Sequence, residues 1–239
     1  MSEQQSVTEM FDDISPRYDF LNHLLSFHID KTWRRKTSKW VSQDHPASIL
    51  DVATGTADLA IRLAKDCPSS QIIGIDLSEK MLEIGKKKIT NKQLGDRIKL
   101  QIGNAEQIPF PDSTFDAVTT AFGVRNFEHL EQGLQEMFRI TKDKGMIAVL
   151  EFSHPEKGFI RMPYRCYSKH ILPLAGRIIS RHHAAYRYLP DTIEAFPKAE
   201  IFMNLLMKAG FSEVGKREYS GGIATLYYGR AQKKHVLSQ

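Results

Sequence analysis

The sequence predicts an α/β fold: a Rossmann-like sheet of seven mostly parallel strands, with N-terminal helices and a basic helical insertion. Between residues 47 and 152, short β-branched runs alternate with segments of helical periodicity, the pattern of βαβ units in a parallel sheet. After residue 197, a helix precedes two strands joined around Gly221-Gly222, which predicts a closing hairpin and one antiparallel strand. The 239 residues, 41% of them hydrophobic, fit a single domain with a sizeable core.

The predicted strands are short aliphatic or β-branched runs bounded by polar or glycine-containing turns. In chain order they are Ser48–Val52, Gln71–Leu77, Ile98–Ile102, Phe115–Ala121, Gly145–Phe152, Phe211–Arg217 and Ile223–Arg230.

The predicted helices repeat apolar residues at three- and four-residue spacing. Those of the alternating region and the tail are Asp58–Lys65, Glu79–Thr90, Leu130–Thr141 and Lys198–Ala209, the last with Gly210 as its C-cap. Residues 6–42 are also predicted to be helical, because the same spacing continues through Val7, Met10, Phe11, Ile14, Tyr18, Leu21, Leu24 and Leu25.

Composition excludes several classes of protein. The longest apolar stretches, such as Met146–Phe152, fall far short of the about 18 residues of a transmembrane helix. Residues 1–13 hold four acidic residues and no basic one, unlike a secretory signal. Cys67 and Cys166 lie far apart in a cysteine-poor chain, which suits a reducing compartment. We therefore expect a cytoplasmic globular protein.

The turn between the first predicted strand and helix, Leu50-Asp-Val-Ala-Thr-Gly-Thr-Ala-Asp58, lies where open α/β sheets bind ligands. Gly55 permits a positive φ or a close backbone approach, and Thr56 is predicted to be the N-cap of the helix. Only one glycine of the dinucleotide-binding pattern is present and no Walker lysine follows, so a pyrophosphate site is poorly supported. Asp51 and Asp58 flank the turn and favour a cation instead.

Two further strand ends complete the predicted site. Asp76 follows Gly55 by 21 residues, where a carboxylate can accept both hydroxyl protons of a ribose. Asn104 and the backbone of Ala105 follow the third strand, beside the expected position of an adenine. Acidic groups around a nucleoside with a cationic amino-acid arm predict S-adenosylmethionine, and a sheet ending in an antiparallel strand is the methyltransferase variant of this fold. Strand-end capping is the alternative for Asp51 and Asp76.

Two clusters of basic residues contain no acidic one, although the whole chain has a net charge of only +5. Residues 31–40 hold five Lys or Arg, and Lys157–Tyr188 holds seven. Trp33 and Trp40 are seven residues apart, hence on one helix face, and tryptophan beside Lys and Arg suits a membrane interface. The clusters predict contact with an anionic membrane surface. A solvated basic face on ordinary core helices is the alternative.

Longer motifs resemble the ubiquinone/menaquinone biosynthesis C-methyltransferase family over nearly the whole chain. The most specific are Phe122-Gly-Val-Arg-Asn126 and Tyr186-Arg-Tyr-Leu-Pro190; the others are Phe11–Asp19, Leu25–Phe27, Trp33-Arg34, Leu50–Asp58, Asn104–Asp112, Leu150–Ser153 and Phe196-Pro197. The chain departs from the family in four places. Ala57 and His28 stand where glycine is common, Ala121 where some members have a cofactor-contacting serine, and Asp191-Thr192 where Glu-Ser is usual.

The resemblance implies methyl transfer from S-adenosylmethionine to the ring carbon of demethylmenaquinol, giving menaquinol in menaquinone (vitamin K2) biosynthesis. Methylation of the benzoquinol intermediate of ubiquinone biosynthesis is the alternative acceptor chemistry. The resemblance implies cofactor contacts at Thr56, Asp76, Asn104 and Ala105, to which the first turn adds Asp51 and Gly55. We expect no metal, because no cluster of His, Cys or Asp has ligand spacing.

Methylation of a ring carbon requires alignment of the reacting atoms and loss of a hydroxyl proton. Arg125 follows the fourth strand and is predicted to face the cofactor methyl, where its guanidinium would hold the developing phenolate. Asn126 would fix the orientation of that group, and Tyr18 would cover the site, with Asp19 as a candidate base. A structural Arg125, paired with an acid such as Glu128, is the alternative.

As partners we expect a lipid-tailed quinol and, transiently, the anionic inner face of the cell membrane; a homodimer is left open. No nucleic acid is expected, because Thr119-Thr-Ala-Phe-Gly-Val stands where methyltransferases of exocyclic amines carry an Asn/Asp-Pro-Pro-aromatic motif. The remaining hypotheses are a methyltransferase acting on another lipid or on a nucleic acid, since basic patches with aromatics also bind nucleic acid, and a non-enzymatic adenosyl-binding module. The expected single domain has a helical cap (1–45), a cofactor-binding core (46–155), a substrate- and membrane-facing insertion (156–197) and a terminal helix and hairpin (198–239).

Overall fold

The computed structural model describes Asp12, Ser15, residues 28–153 and residues 191–233, and every structural statement below refers to these. The predicted helical stretch 6–27, apart from Asp12 and Ser15, lies outside them, as do Tyr18, Asp19 and the basic cluster Lys157–Tyr188.

One sheet of seven strands organises the described residues, in the order β3-β2-β1-β4-β5-β7-β6. Strands β1 to β5 are parallel, and β7 inserts antiparallel between β5 and β6. The predicted fold class is therefore confirmed. The strands are β1 (Ser48–Val52), β2 (Gln71–Asp76), β3 (Ile98–Ile102), β4 (Phe115–Ala121), β5 (Thr141–Phe152), β6 (Phe211–Tyr219) and β7 (Ala224–Ala231).

Five helices of the described chain cover the sheet: α1 (Ile29–Val41), α2 (Asp58–Asp66), α3 (Glu79–Asn91), α4 (Leu130–Ile140) and α5 (Ala199–Ala209). Short 3-10 turns follow α1 at Ser42–Asp44 and β4 at Val124–Asn126. Most bounds agree with the predicted ones to within a residue or two. Strand β5 begins four residues before the predicted Gly145, because Thr141 already pairs with Phe115 of β4.

Apolar side chains fill both faces of the sheet, as a parallel sheet requires. On one face, Leu59 and Leu63 of α2 pack with Met146 and Leu226. On the other, Leu134 and Met137 of α4 pack with Phe202 of α5 and with Tyr227, which is fully buried. With both faces covered, the carboxyl ends of the parallel strands remain as the place for a ligand.

Helix α1 directs its tryptophans onto the sheet, so the prediction that Trp33 and Trp40 face a membrane is wrong. Trp33 is 3% exposed, and its Nε1 donates to Ser220 Oγ at 2.9 Å. The ring of Trp40 lies 4.8 Å from that of Tyr228. Their seven-residue spacing does place both on one helix face, but that face covers the fold. Apart from Arg34, the cations of the cluster are exposed.

Candidate functional site

A cleft of about 960 Å³, open to solvent, lies at the carboxyl ends of β1, β2, β3 and β4. All six predicted cofactor residues line it, namely Asp51, Gly55, Thr56, Asp76, Asn104 and Ala105. Asn126 lines it as well, whereas the predicted Tyr18 lies outside the described residues.

The loop after β1 is tied to the end of β2 by a carboxylate. Gly55 has φ +55°, as its predicted conformational role requires, and its N–H donates to Asp76 Oδ2 at 2.8 Å. The other oxygen, Oδ1, accepts the N–H of Ser78 at 2.9 Å. The backbone of Leu77 is a third donor to this carboxylate, which has about four acceptor positions, so a position remains for a ligand hydroxyl. Burial raises the pKa of Asp76, an effect that its backbone hydrogen bonds oppose.

The start of α2 differs from the predicted one, and the assignment of Thr56 as N-cap is wrong. The residue before the helix is Ala57, in the left-handed conformation at φ 64°, and no side chain caps the helix. Thr56 Oγ1 instead accepts from Lys88 Nζ at 2.9 Å, and the same ammonium pairs with Asp58 at 2.7 Å. The charge of Asp58 is thus neutralised by α3.

The backbone is left-handed at both positions where glycine was expected and this chain has another residue. Ala57 has φ 64° and His28, which precedes α1, has φ 60°. L-residues adopt this conformation at a cost of about 1–2 kcal/mol, which glycine avoids. The chain therefore keeps the backbone that glycine would favour while carrying a side chain at each position.

Asp51, at the end of β1, is a buried acid on the wall of the cleft. It is 1% exposed, and its two oxygens accept the hydroxyls of Thr54 at 2.7 Å and Thr119 at 2.8 Å. Burial raises its pKa to about 6, even though these hydroxyls and the charge of Arg34 act in the opposite direction. A positively charged ligand group beside it would compensate the buried negative charge.

The loop after β3 folds back on itself before it meets the cleft. Asn104 Oδ1 accepts the N–H of Glu106 at 2.8 Å, a turn that presents Ala105 to the cleft. Glu106 also lines the cleft, where its oxygens accept the N–H and the Nδ1–H of His129 at 3.0 and 2.8 Å. Hydrogen bonding to this carboxylate raises the pKa of His129.

Close packing joins the loops after β1 and β4. A side chain at Gly123 would place its Cβ 2.6 Å from that of Ala53, so only glycine allows this approach. Phe122 before it has φ 62°, a rare conformation for a bulky residue and one that occurs at binding sites. Phe122 and Asn126 thereby come to line the cleft.

Arg125 lies behind the cleft wall that its neighbours form. Its Nη1 pairs with Glu151 Oε1 at 2.8 Å, rather than with Glu128, and also donates to the carbonyl oxygen of Phe122 at 2.5 Å. The Arg125 side chain is only 5% exposed, and its Nε is buried without a hydrogen-bond partner among the described residues. An unsatisfied buried N–H of this kind costs about 1–3 kcal/mol, which a ligand or water could recover.

Sequence reasoning missed two charged residues of the cleft, Arg34 and Glu106. Arg34 belongs to α1 and pairs with Asp30 one turn earlier. The four-residue spacing of Asp30 and Arg34 predicts such a pair on a helix, but it does not show which ligand the helix faces.

The described residues offer neither a metal centre nor a membrane span. They contain no group of three or more His, Cys, Asp and Glu side chains that could hold a metal ion. No helix within them combines the length and apolar content needed to cross a bilayer.

Relatives of known name cover most of this chain. The model of the ubiE/COQ5 methyltransferase family matches residues 1–231. A demethylmenaquinone methyltransferase of Bacteroides fragilis is 42% identical over 223 residues, 93% of this chain and 91% of the relative. The ubiquinone/menaquinone biosynthesis C-methyltransferase UbiE of Geobacter sulfurreducens is 43% identical over 226 residues, 94% of this chain and 88% of the relative.

Solved structures agree in fold. A possible histamine N-methyltransferase from Thermotoga maritima, S-adenosylmethionine-dependent, matches with a TM-score of 0.61 at 18% identity, over 94% of this chain and 99% of that one. The cyclase SpnF matches with a TM-score of 0.70 at 18% identity, over 97% of both chains. Because a cyclase and methyltransferases share this fold, the fold alone does not determine the reaction.

Proposed function

The chain belongs to the ubiE/COQ5 methyltransferase family, and on this basis we propose that it is an S-adenosylmethionine-dependent C-methyltransferase that converts demethylmenaquinol to menaquinol. The observation that carries the proposal is the match at 40–42% identity to demethylmenaquinone methyltransferases over more than nine-tenths of the chain. The acid-lined cleft at the strand ends supports the choice of methyl donor.

The cleft residues suit each part of S-adenosylmethionine, whose sulfonium supplies an electrophilic methyl group. Asn104 and Ala105 after β3 would bind the adenine, and Asp76 after β2 would accept the ribose hydroxyls. Gly55 and Thr56 would bring the loop after β1 against the nucleoside, and Asp51 would attract the positively charged arm. The order of these residues across the sheet follows the order of the groups in the ligand.

The loop after β4 would act on the quinol. Loss of a hydroxyl proton places negative charge on the oxygen and ring carbon, so a nearby cation lowers the barrier. We assign this role to Arg125. Its guanidinium lies behind the wall of the cleft, so the support is its buried charge and its Nε, which has no partner among the described residues, with Glu151 fixing its position. Asn126 would orient the substrate from the cleft wall, and Tyr18 would cover the site from the N-terminal region.

We propose further that the protein is cytoplasmic and works at the inner face of the cell membrane, where a prenylated quinol dissolves. The support is the basic cluster Lys157–Tyr188. If it contacts anionic lipid, binding to vesicles containing phosphatidylglycerol should decrease steeply with salt, because exposed charges are screened over about 8–10 Å. Equal binding to neutral and anionic vesicles would contradict this. The oligomeric state, for which a homodimer is the hypothesis, is measured by sedimentation velocity.

The acceptor is tested by a competition. The protein is incubated with S-adenosylmethionine and equal amounts of reduced demethylmenaquinone and the reduced benzoquinone intermediate of ubiquinone biosynthesis, with an RNA in a parallel tube. We expect methylated naphthoquinol as the main product. Faster methylation of the benzoquinol would favour the ubiquinone route, which the name of the Geobacter relative also includes; methylated RNA would overturn the proposal.

A further inference from the structure

Arg34 is the only Lys or Arg among the described residues that line the cleft. The acids of the same lining are Asp51, Asp58, Asp76 and Glu106. S-adenosylmethionine carries, besides its sulfonium and ammonium, one α-carboxylate. The four acids would repel this carboxylate. Arg34 is therefore the one positively charged side chain of the described lining that could bind it.

The guanidinium of Arg34 is held by Asp30 and Phe122, and these contacts engage only part of its N–H donors. Asp30, 2% exposed and one turn earlier in α1, contacts Nη1. The Cζ atom of Arg34 lies 5.0 Å from the centroid of the Phe122 ring. A guanidinium has five N–H donors in a planar fork, and no other hydrogen-bond partner of Arg34 is found among the described residues. As far as the described residues go, several donors are therefore left for a ligand in the cleft.

The position of Arg34 along the cleft matches one end of the donor molecule. The sheet order β3-β2-β1-β4 places the adenine loop first, then Asp76, then Asp51 and Phe122. Arg34 stacks on Phe122 at the β4 end, and its charge acts on Asp51. At this end the cleft wall thus contains both a cation and an anion, the complement of an amino acid's carboxylate and ammonium.

We propose that Arg34 binds the α-carboxylate of S-adenosylmethionine and thereby selects the intact amino-acid arm. This inference rests on the proposed function, since it takes S-adenosylmethionine as the ligand. Asp30 is a positioning residue that holds the guanidinium against Phe122.

The test compares two ligands that differ only in this carboxylate. Titration calorimetry measures binding of S-adenosylmethionine and of decarboxylated S-adenosylmethionine, without acceptor, to the wild type and to Arg34→Met. We expect the wild type to prefer S-adenosylmethionine by about tenfold to hundredfold, the range for a charge-assisted hydrogen bond. Arg34→Met should abolish the preference and leave the affinity for the decarboxylated ligand within about threefold of the wild type.

Two control variants separate recognition from folding. Arg35→Met removes an exposed cation of the same helix that does not line the cleft, and it should keep the preference for the carboxylate. The double variant Asp30→Asn, Arg34→Met leaves no unpaired buried carboxylate, so it serves if Arg34→Met alone does not fold, and it should lack the preference. A preference retained without Arg34, or equal weakening of both ligands, would overturn the proposal.

Failure of this inference is distinguishable from failure of the proposed function. A wild type that methylates demethylmenaquinol yet binds both ligands equally contradicts only the role of Arg34. A wild type that prefers the carboxylate but methylates no quinol contradicts only the proposed acceptor.

Discussion

The Nη1 atom of Arg125 lies 2.8 Å from Oε1 of Glu151, and the two side chains are 5% and 0% exposed. This buried pair ties the loop after β4 to the end of β5. Because Nη1 also donates to the carbonyl oxygen of Phe122, the left-handed backbone at Phe122 is held from within the same network. The wall of the cleft that contains Asn126 therefore depends on a charge pair behind it.

Arg125→Lys is expected to lower turnover by about 100-fold or more, the scale of losing one positioned oxyanion contact. Affinity for S-adenosylmethionine should stay within about twofold, because the loss falls on the transition state. Raising the assay pH should partly restore turnover, since the quinol then ionises unaided. Steady-state kinetics and calorimetry measure both quantities.

Glu151→Gln is the companion variant for this pair. It leaves the Arg125 charge buried without its partner, so the free energy of unfolding should decrease by about 3–5 kcal/mol in urea titrations. If Arg125→Lys instead loses cofactor affinity in step with turnover, or does not respond to pH, Arg125 acts only by holding the loop.

Asp76→Ala should weaken binding of S-adenosylmethionine by about 1.5–3 kcal/mol, the value of hydrogen bonds to a charged group. It removes the acceptor for the ribose and also the acceptor for the Gly55 N–H. Asp116→Ala is the matched control, because Asp116 pairs with Lys142 and does not line the cleft. Unchanged calorimetric affinity for Asp76→Ala would remove residues 50–76 from the cofactor site.

The buried carboxyl of Asp51 predicts a pH-dependent stability. Its pKa is about 6 in the folded chain, above the ordinary value of 3.8, because burial disfavours the charge. The folded state therefore binds the proton more tightly, and the stabilisation, complete below about pH 4, is lost as the pH rises through 6. Relative to Asp51→Asn, the wild type should lose about 2–3 kcal/mol of unfolding free energy across this interval. If the difference in unfolding free energy between the wild type and Asp51→Asn does not change with pH, the raised pKa of Asp51 is contradicted.

Gly55→Ala should lower the free energy of unfolding by about 1–2 kcal/mol, because φ is +55° there. A Cβ at Gly55 would meet nothing within 4 Å, so the cost is one of backbone conformation alone. Gly95→Ala is the matched control, since it has the same open space without a positive φ. Equal chemical-denaturation midpoints for the two variants would contradict this reading of the loop.

The sequence allows prediction of those site residues that lie at the ends of strands. Gly55 and Asp76 could be placed from their spacing, because parallel strands bring their carboxyl ends to one edge. The N-cap could not be placed correctly, because the left-handed Ala57 shifts the start of α2 past Thr56. Arg34 and Trp33 lie on a helix whose docking direction is set by tertiary packing, which the spacing within α1 does not specify.

One measurement tests the central claim most directly. The protein is incubated with S-adenosylmethionine labelled with deuterium in its methyl group and with reduced demethylmenaquinone, and the quinone product is analysed by mass spectrometry and NMR. We predict that one intact labelled methyl group is found on the ring carbon and that Asp76→Ala slows its transfer. Absence of label from the quinone while the protein binds S-adenosylmethionine, or label on oxygen instead of carbon, would contradict the account.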